Sequence, residues 1–371
     1  MAITHVNRPA GSPAPSRARG RTNDGEPAID GRSVDQRRAR EPGRGRQADH
    51  PRQFPRRAWI DVGRRVVTES RDDNVPLLAA GVAFYALISL VPAMAAVIAT
   101  YGLVADPAEV ADQMGSLSEA LPAQAGDLLV EQVERIAASS SGALGAGAAL
   151  ALATALWTAS SGMRWMMSAL SLTYDQRETR TFLRLRGRAL LLTIAATAAL
   201  VVSVGLIAAL PAVCGLLGIR ETGVLVAGVL RWPLLAALVL VGFSALYRFG
   251  PDRAPARWRW VTPGSLVATV IWLAASAGFA LYAAVAGSFD ETYGPLGGVV
   301  VLLLWLHLSS LAVLVGAEVN AEMEHQTARD TTTGPDRPLG ERGAAVADTV
   351  GASSTELRTR PDGVDSSPDR E

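Results

Sequence analysis

The chain contains no lysine, a single cysteine and only four histidines among its 371 residues. One thiol, Cys214, can form neither an intrachain disulfide nor a cysteine-based metal site. The histidines are too far apart for a His-x-His pair or a His-Glu-x-x-His metal motif. They are His5, His50, His307 and His325. We therefore expect neither a metal centre nor a cofactor.

Two further signals are missing. The sequence has no Gly-x-x-x-x-Gly-Lys-[Ser/Thr] loop, so we do not expect the protein to use ATP directly. The first 50 residues are rich in Arg, Gly and Pro and lack the apolar segment of a cleavable signal peptide. The first apolar run is therefore expected to act as an uncleaved insertion signal.

What the chain has instead is six long apolar runs, although 19% of its residues are charged. Each run reaches or exceeds the ~20 residues that a helix needs to cross a ~30 Å hydrocarbon layer. Backbone groups find no water in that layer, so such segments must be helical. The runs cover about 75–101, 142–169, 189–217, 224–247, 261–285 and 296–319. The sequence predicts an all-α, polytopic membrane protein with a bundle of six transmembrane helices.

Arginine is concentrated in every second connection between these runs. Fifteen Arg lie before the first run or in the two–three and four–five connections, against three in the other connections. Because positively charged loops stay in the cytoplasm, we expect a multi-pass protein of the bacterial plasma membrane with both termini cytoplasmic. The fifteen are Arg52, Arg56, Arg57, Arg64, Arg65, Arg71, Arg177, Arg180, Arg184, Arg186, Arg188, Arg248, Arg253, Arg257 and Arg259. The three are Arg135, Arg220 and Arg231.

The ends of the chain differ in composition from the membrane domain, residues 55–325. Residues 1–54 and 326–371 are poor in large apolar side chains, which predicts disordered cytoplasmic tails. For the Arg-rich first tail, binding of anionic lipid or nucleic acid is the alternative to simple solvation.

Two segments outside the runs have helical periodicity. Within 56–71, Trp59, Val62 and Val66 recur at helical spacing among arginines, which predicts an amphipathic helix on the cytoplasmic membrane surface. The acidic connection 102–141 contains two amphipathic patterns and is expected to form a helical cap outside the membrane. A lid that binds a partner or ligand is the alternative.

Polar residues inside the apolar runs are candidate functional residues. Ser89 and Pro92 lie within the first run, where Pro92 removes a backbone hydrogen bond and favours a kink. Broken helices often border transporter sites, although most membrane prolines are simply accommodated. Arg164 lies near the inner end of the second run and can extend its side chain to the headgroups.

The sixth run is the most polar. His307 lies ~16 Å along it, near mid-membrane, where an ionisable group is a functional candidate by default. The favoured alternative is a neutral imidazole that is hydrogen bonded to Ser309 or Ser310. Glu318 and Asn320 lie near the inner interface, where a functional role and simple solvation are equally compatible with their position.

Several motifs in order resemble the YihY/BrkB-type family of bacterial inner-membrane proteins over residues 55–325. They are AAGVAFYALISLVP (79–92), LWTASSGMRWMMSAL (156–170), LYRFGPD (246–252), WVTPGSLVATVIW (260–272), TYGPLGGVVVLLLWLHLS (292–309) and GAEVNAEME (316–324). The resemblance implies a six-helix bundle with both ends in the cytoplasm. By similarity, positions that recur in the family are Tyr85, Ser89, Pro92, Tyr247, Pro251, Gly264, Tyr293, Gly294, Trp305, Gly316, Glu318 and Asn320.

Links of some relatives to serum resistance or to export of lipid precursors suggest a transporter or flippase for a lipid or another amphiphile. The expected partners are membrane lipids, without nucleic acid, and the sequence specifies no oligomeric state. The candidate substrate path is Tyr85, Ser89, Pro92, Tyr247, Tyr293, Gly294, Glu318 and Asn320, with Arg164 and His307 as secondary candidates.

A non-transporting envelope scaffold that binds partners is the alternative function. The family also carries a ribonuclease label. Hydrolysis of RNA needs metal ligands or an acid–base pair gathered in water. No such group is visible in the sequence, so an enzyme is the least favoured hypothesis.

Overall fold

A computed structural model describes residues 31–102, 145–216, 220–285 and 295–359. The described residues form helices, turns and an isolated β-bridge between Ala256 and Thr332, in agreement with the all-α prediction. The helices are α1 (Gly31–Arg38), α2 (Arg56–Asp72), α3 (Val75–Gly102), α4 (Gly145–Thr173), α5 (Phe182–Leu216), α6 (Arg220–Phe249), α7 (Trp258–Val285), α8 (Pro295–Gln326), α9 (Ala345–Asp348) and α10 (Ser354–Thr359). A short 3-10 helix covers Pro51–Gln53. Residues 103–141 of the predicted external cap lie outside the described residues.

Five of the described helices contain segments long and apolar enough to cross a membrane, judged by length and composition. The segments are Val75–Met94, Phe182–Ser203, Val229–Phe249, Trp258–Tyr282 and Gly297–Gln326. The prediction of six spans is thus confirmed for five. The helix over the second predicted run, α4, is 29 residues long, but its Gly, Ser and Thr residues and Arg164 lower its mean hydropathy. It packs along α3 and α5 within the bundle.

The Arg-rich connections meet at one end of the bundle, which we call the inner end. The backbone N–H and the hydroxyl of Thr179, between α4 and α5, donate to Asp252 Oδ2 at 2.7 and 2.6 Å. Arg180 donates to the carbonyl of Gly250 at 3.1 Å. The helix α2, which covers the predicted amphipathic segment, packs on α8. The alternation of charge along the sequence therefore corresponds to a real alternation between the two ends of the bundle.

The prediction of disordered tails is wrong for the described parts of both tails, residues 31–54 and 327–359. We call these two segments the inner cap. Phe54 is 7% exposed, and its ring centroid lies 5.9 Å from that of Trp260 in α7. The backbone N–H of Ala328 donates to the carbonyl of Arg46 at 2.7 Å. Composition does not reveal this order, because a few apolar anchors and many polar contacts, rather than a large core, hold the two segments in place.

Buried ion pairs attach α8 to its neighbours at the inner end. Arg65 of α2 forms an ion pair with Glu322, and both side chains are 3% exposed. It also donates to Gln326 Oε1 at 2.7 Å. Arg253 donates twice to Glu324, at 2.9 and 2.6 Å, with both side chains almost fully buried. Removal of one partner leaves the other charge buried and unpaired. Such a change should destabilise the fold by about 3–5 kcal/mol.

Two glycines allow α7 and α8 to approach closely. A Cβ atom on Gly316 would lie 2.6 Å from Ala268 Cβ and 2.7 Å from the carbonyl oxygen of Gly264. A Cβ atom on Gly264 would overlap the Gly316 carbonyl and the Asn320 side chain. Small residues of this kind let helix backbones meet in lipid, where no hydrophobic effect drives helices together.

We expect Gly316→Ala to destabilise the bundle by about 1–3 kcal/mol, because the new methyl group forces α7 and α8 apart. Gly298→Ala on the same helix is the matched control, since no atom of the described residues lies within 4 Å of its Cβ position. That control should be neutral or slightly stabilising, because Ala favours helix. Thermal unfolding of the purified proteins in detergent measures both. Equal melting temperatures for the two variants would contradict the close approach.

Glu69 on α2 makes the stability of the inner end sensitive to pH. Burial and the like charges of Glu322 and Asp175 raise the pKa of Glu69 from 4.5 to about 7, although His325 acts in the opposite sense. The folded chain therefore keeps a proton that the unfolded chain releases. The stabilisation is complete below pH 4.5 and is lost as the pH rises to about 7.

Glu69→Gln should remove this loss, because the amide cannot ionise. The variant should unfold at the same temperature as the parent at pH 4 and at a higher temperature at pH 8. Asp72→Asn, an exposed position on the same helix, should not change the difference between the two pH values. A Glu69→Gln variant with no pH-dependent gain would show that Glu69 titrates as it does in the unfolded chain.

Candidate functional site

The helices α6, α7 and α8 are joined by two buried hydrogen bonds near the inner end. The Tyr247 hydroxyl donates to the carbonyl of Val313 at 2.7 Å, and Tyr247 is 2% exposed. Asn320, fully buried, accepts a hydrogen bond from the backbone N–H of Gly264 at 2.8 Å through Oδ1. The structure therefore brings together Tyr247 and Asn320 of the predicted path, on either side of the close contact between α7 and α8.

Glu318 also lies in this part of α8, but on another side of the helix. Residues two apart point in different directions, whereas residues four apart share a face. Glu318 accordingly shares its face with Glu322 and Gln326, while Asn320 shares a face with Glu324. The predicted path residues of α8 thus do not line one common surface.

Glu318 differs from the other glutamates of the inner end of α8. Glu322 is paired with Arg65 and Glu324 with Arg253. Glu318 is 1% exposed, and its Oε1 has no hydrogen-bond partner among the described residues. No cation of the described residues forms an ion pair with it. A buried polar atom left without a partner costs about 1–3 kcal/mol, so the fold retains this carboxyl at a cost.

Two neighbouring polar groups are also without a partner among the described residues. They are Nδ2 of Asn320 and the hydroxyl of Tyr174, which directly follows α4. Tyr174 is fully buried, and the Arg253 guanidinium lies 4.9 Å from its ring centroid. Burial raises the pKa of Tyr174, so its hydroxyl remains a hydrogen-bond donor. Because Tyr174 and Asn320 also interact with each other, the inner end offers one free carboxyl oxygen, with two weakly engaged polar groups beside it, to a ligand, a proton or water.

The other predicted path residues lie between α3 and α4. Ser89, 5% exposed, accepts a hydrogen bond from the backbone N–H of Gly162 at 3.0 Å. The Tyr85 ring is stacked on that of Trp165 at 4.2 Å, and the Arg164 guanidinium lies 4.9 Å from the same Trp165 ring. Ser89 and Tyr85 are thus engaged in helix packing, and their role in a path stays a prediction.

The remaining candidates are distributed along the bundle. Pro92 lies inside α3, which continues past it to Gly102. The expected hydrogen bond of His307 to Ser309 or Ser310 is wrong: Nδ1 of His307 has no partner among the described residues, and Ser309 accepts from Trp272 at 3.1 Å. Tyr293 and Gly294 lie outside the described residues.

Sequence reasoning missed Arg186 of α5, which it used only as an indicator of orientation. Arg186 is 8% exposed and donates to the carbonyl of Trp157 at 2.6 Å and to Ser161 Oγ at 3.0 Å. The sequence signal for a buried role was its position: Arg186 follows Leu185 and lies three residues before the predicted apolar run that begins at 189. Within the described ranges, no three His, Cys, Asp or Glu side chains are grouped so as to hold a metal ion.

Comparison with known proteins gives a family assignment. A family model described as virulence factor BrkB matches residues 66–339. The chain is 30% identical over 251 residues to the "Putative ribonuclease-like protein YfkH" of Bacillus subtilis (strain 168), which covers 65% of this chain and 87% of that protein.

Shorter matches are to proteins named "UPF0761 membrane protein". One, from Tolumonas auensis, is 36% identical over 86 residues, or 23% of this chain and 28% of that protein. Another, from Vibrio cholerae O1 El Tor, is 36% identical over 99 residues, or 26% of this chain and 33% of that protein. No solved structure matches the chain. The family match covers the end of α2, α3 to α8 and the first part, 327–339, of the inner cap's second segment, and on this ground the chain belongs to the BrkB virulence-factor family of membrane proteins.

Proposed function

We propose that this protein is a transporter or flippase that moves a lipid or another amphiphile across the bacterial plasma membrane. The observation that carries the proposal is the unneutralised carboxyl of Glu318, inside the apolar segment Gly297–Gln326. Ionisable groups in membrane spans are expensive and usually mark substrate or proton pathways. The chain neutralises Glu322 and Glu324 a few residues away, so the lack of a cation at Glu318 is a local property of that site.

The weakly engaged polar groups of Asn320 and Tyr174 support the same proposal. A substrate that enters between helices needs polar partners that the resting protein has not already used. Movement of such a group past α8 would require α7 or α3 to shift, because the Gly264–Gly316 contact leaves no space between α7 and α8. In this proposal Glu318 holds a proton or a polar group of the substrate during the movement.

A membrane scaffold is the second candidate, favoured by one observation. On α2, beside the inner cap, Trp59 and Ile60 remain 44% and 52% exposed, as expected for a face that contacts lipid or another protein. The Bacillus subtilis relative is named a putative ribonuclease-like protein, and that name applies to the relative. We do not propose ribonuclease activity for this chain, and no group of His, Cys, Asp or Glu side chains that could hold a metal ion lies in its described residues.

Glu318→Gln tests the transport proposal, because the amide keeps the shape of the side chain and cannot carry a proton or a negative charge. The purified protein is reconstituted into liposomes with a phosphatidylglycerol that carries a fluorescent acyl chain, and the exchange between leaflets is followed by quenching from outside. The variant should reduce the exchange to the rate of protein-free liposomes. Where a deletion strain accumulates a different lipid, that lipid replaces the probe.

Glu341→Gln is the matched control, since Glu341 is exposed in the inner cap. It should leave the rate unchanged. Equal rates for the parent, the control and the Glu318→Gln protein, with all three inserted and folded, would remove Glu318 from the mechanism and favour the scaffold.

We also propose that both termini are cytoplasmic, because α2 and the end of α8 meet at the inner end with the Arg-rich connections. A fluorescent reporter that matures only in the cytoplasm should be bright when it is fused to either end of the chain. A periplasmic reporter such as a phosphatase should be inactive at both positions. Activity of the periplasmic reporter at one end alone would mean an odd number of spans.

A further inference from the structure

Two arginines on adjacent helices lack an acidic partner. Arg186 of α5 is covered by α4: its centre of charge lies 4.6 Å from the Trp157 ring centroid, and it donates to the Trp157 carbonyl and the Ser161 hydroxyl. Its Nε has no partner among the described residues. Arg164 of α4 lies over the Trp165 ring, and its Nε is also buried without a partner.

Among the described residues, Arg248 of α6 and Arg259 of α7 also have a buried Nε without a partner, but the most deeply buried arginines are compensated. Arg65, Arg46 and Arg253 each meet a carboxylate. Arg342 donates to four backbone carbonyls, those of Arg337, Arg329, Ala347 and Ala328. Arg186 donates to one carbonyl and one hydroxyl. Among the described residues, the Arg164 guanidinium contacts only the face of the Trp165 ring. A buried charge is costly unless it is paired and hydrogen bonded, so these two groups lack an anion.

The two guanidinium groups also act on each other. Arg186 donates to Ser161, and Arg164 lies three residues further along α4 on the same face as Ser161, so the two like charges face the same side of α4. Repulsion between two cations that remain side by side in a fold is relieved when an anion binds to both. Guanidinium groups suit phosphate in particular, because their planar forks donate parallel hydrogen bonds to two of its oxygens.

The position of the pair indicates the source of that anion. Arg186 lies four residues after the start of the apolar segment Phe182–Ser203, at the inner end, where lipid headgroups meet hydrocarbon. Tryptophan is typical of that depth, and Trp165 lies eight residues before the inner end of α4 at Thr173. On α5 the side chains Leu183 and Leu191 are 76% and 67% exposed, which provides an apolar surface for acyl chains next to the cations.

We propose that Arg164 and Arg186, with the Ser161 hydroxyl, bind the phosphate of an anionic phospholipid of the inner leaflet. The phosphate accepts hydrogen bonds from the unused donors of both guanidinium groups, and the acyl chains lie along the exposed leucines of α5. This site lies between α4 and α5, whereas Glu318 lies on α8. It is therefore independent of the transport proposal, and either can fail without the other.

The test uses the full-length protein in detergent and three probes: phosphatidylglycerol, a diacylglycerol with the same chains, and inorganic phosphate. Native mass spectrometry counts bound lipid, and thermal unfolding measures the stabilisation that each probe gives. Phosphatidylglycerol should bind and raise the melting temperature. Diacylglycerol, which lacks the phosphate, should do neither. Inorganic phosphate that binds as tightly as the lipid would overturn the lipid assignment in favour of a free anion.

Arg186→Gln should weaken phosphatidylglycerol binding by about tenfold or more, the factor for loss of a charge-assisted hydrogen bond. Arg184→Gln is the matched control, because Arg184 is exposed on the same helix, two residues away. Equal weakening by the two variants would show a nonspecific effect of surface charge and overturn the site.

Arg186→Gln could unfold the protein, because Arg186 also bonds to α4. Arg164→Gln then decides the question, since the Arg164 guanidinium makes no hydrogen bond to a described residue and folding does not depend on it. This variant should also weaken phosphatidylglycerol binding about tenfold while leaving the lipid-free melting temperature unchanged or higher. Unchanged lipid binding in Arg164→Gln would overturn the proposal.

Discussion

Two buried arginine–glutamate pairs determine where the last helix of the bundle ends and what surrounds it. Arg65–Glu322 joins α8 to α2, and Arg253–Glu324 joins it to the connection between α6 and α7. The two glutamates are two residues apart and leave α8 on different sides, so the helix is held from both. Since neither charge can be buried alone, every segment that supplies a cation must be in place before the inner end is stable. The inner cap packs against this paired end of α8.

The sequence predicts the bundle well because the constraint is local. Apolar length decides each span, so the first predicted run, 75–101, nearly coincides with α3, and the placement of Arg correctly groups the connections at one end. The folded tails could not be predicted in this way. Their few apolar residues, such as Phe54, are buried only because Trp260 lies 206 positions later in the chain, and composition contains no information on such pairing. The same limit applies to the site. Glu318 was recognisable as a charge in an apolar run, but its difference from Glu322 depends on Arg65, 257 residues earlier in the chain.

The candidate sites are the places where a buried ionisable group has no partner of opposite charge among the described residues. Most buried ionic groups of the inner end find a partner from another segment, which shows that the chain is able to supply one. Glu318 and Arg186, an acid and a base on different helices, are exceptions. Both lie within apolar segments of the bundle, where the lack of a partner is most costly. These two groups are therefore the places where we propose that something from outside the chain binds.

The joining of both ends of the chain in the inner cap has a consequence for biosynthesis. Arg65 leaves the ribosome 257 residues before Glu322, which at bacterial rates of about 5–20 residues per second is a delay of roughly 10–50 seconds. Throughout that interval the early helices are inserted while their inner cations have only water and lipid phosphate around them. A chain that stops short therefore displays uncovered arginines and unpaired backbone at the inner end. Membrane proteases can recognise such exposed segments and degrade the unfinished protein.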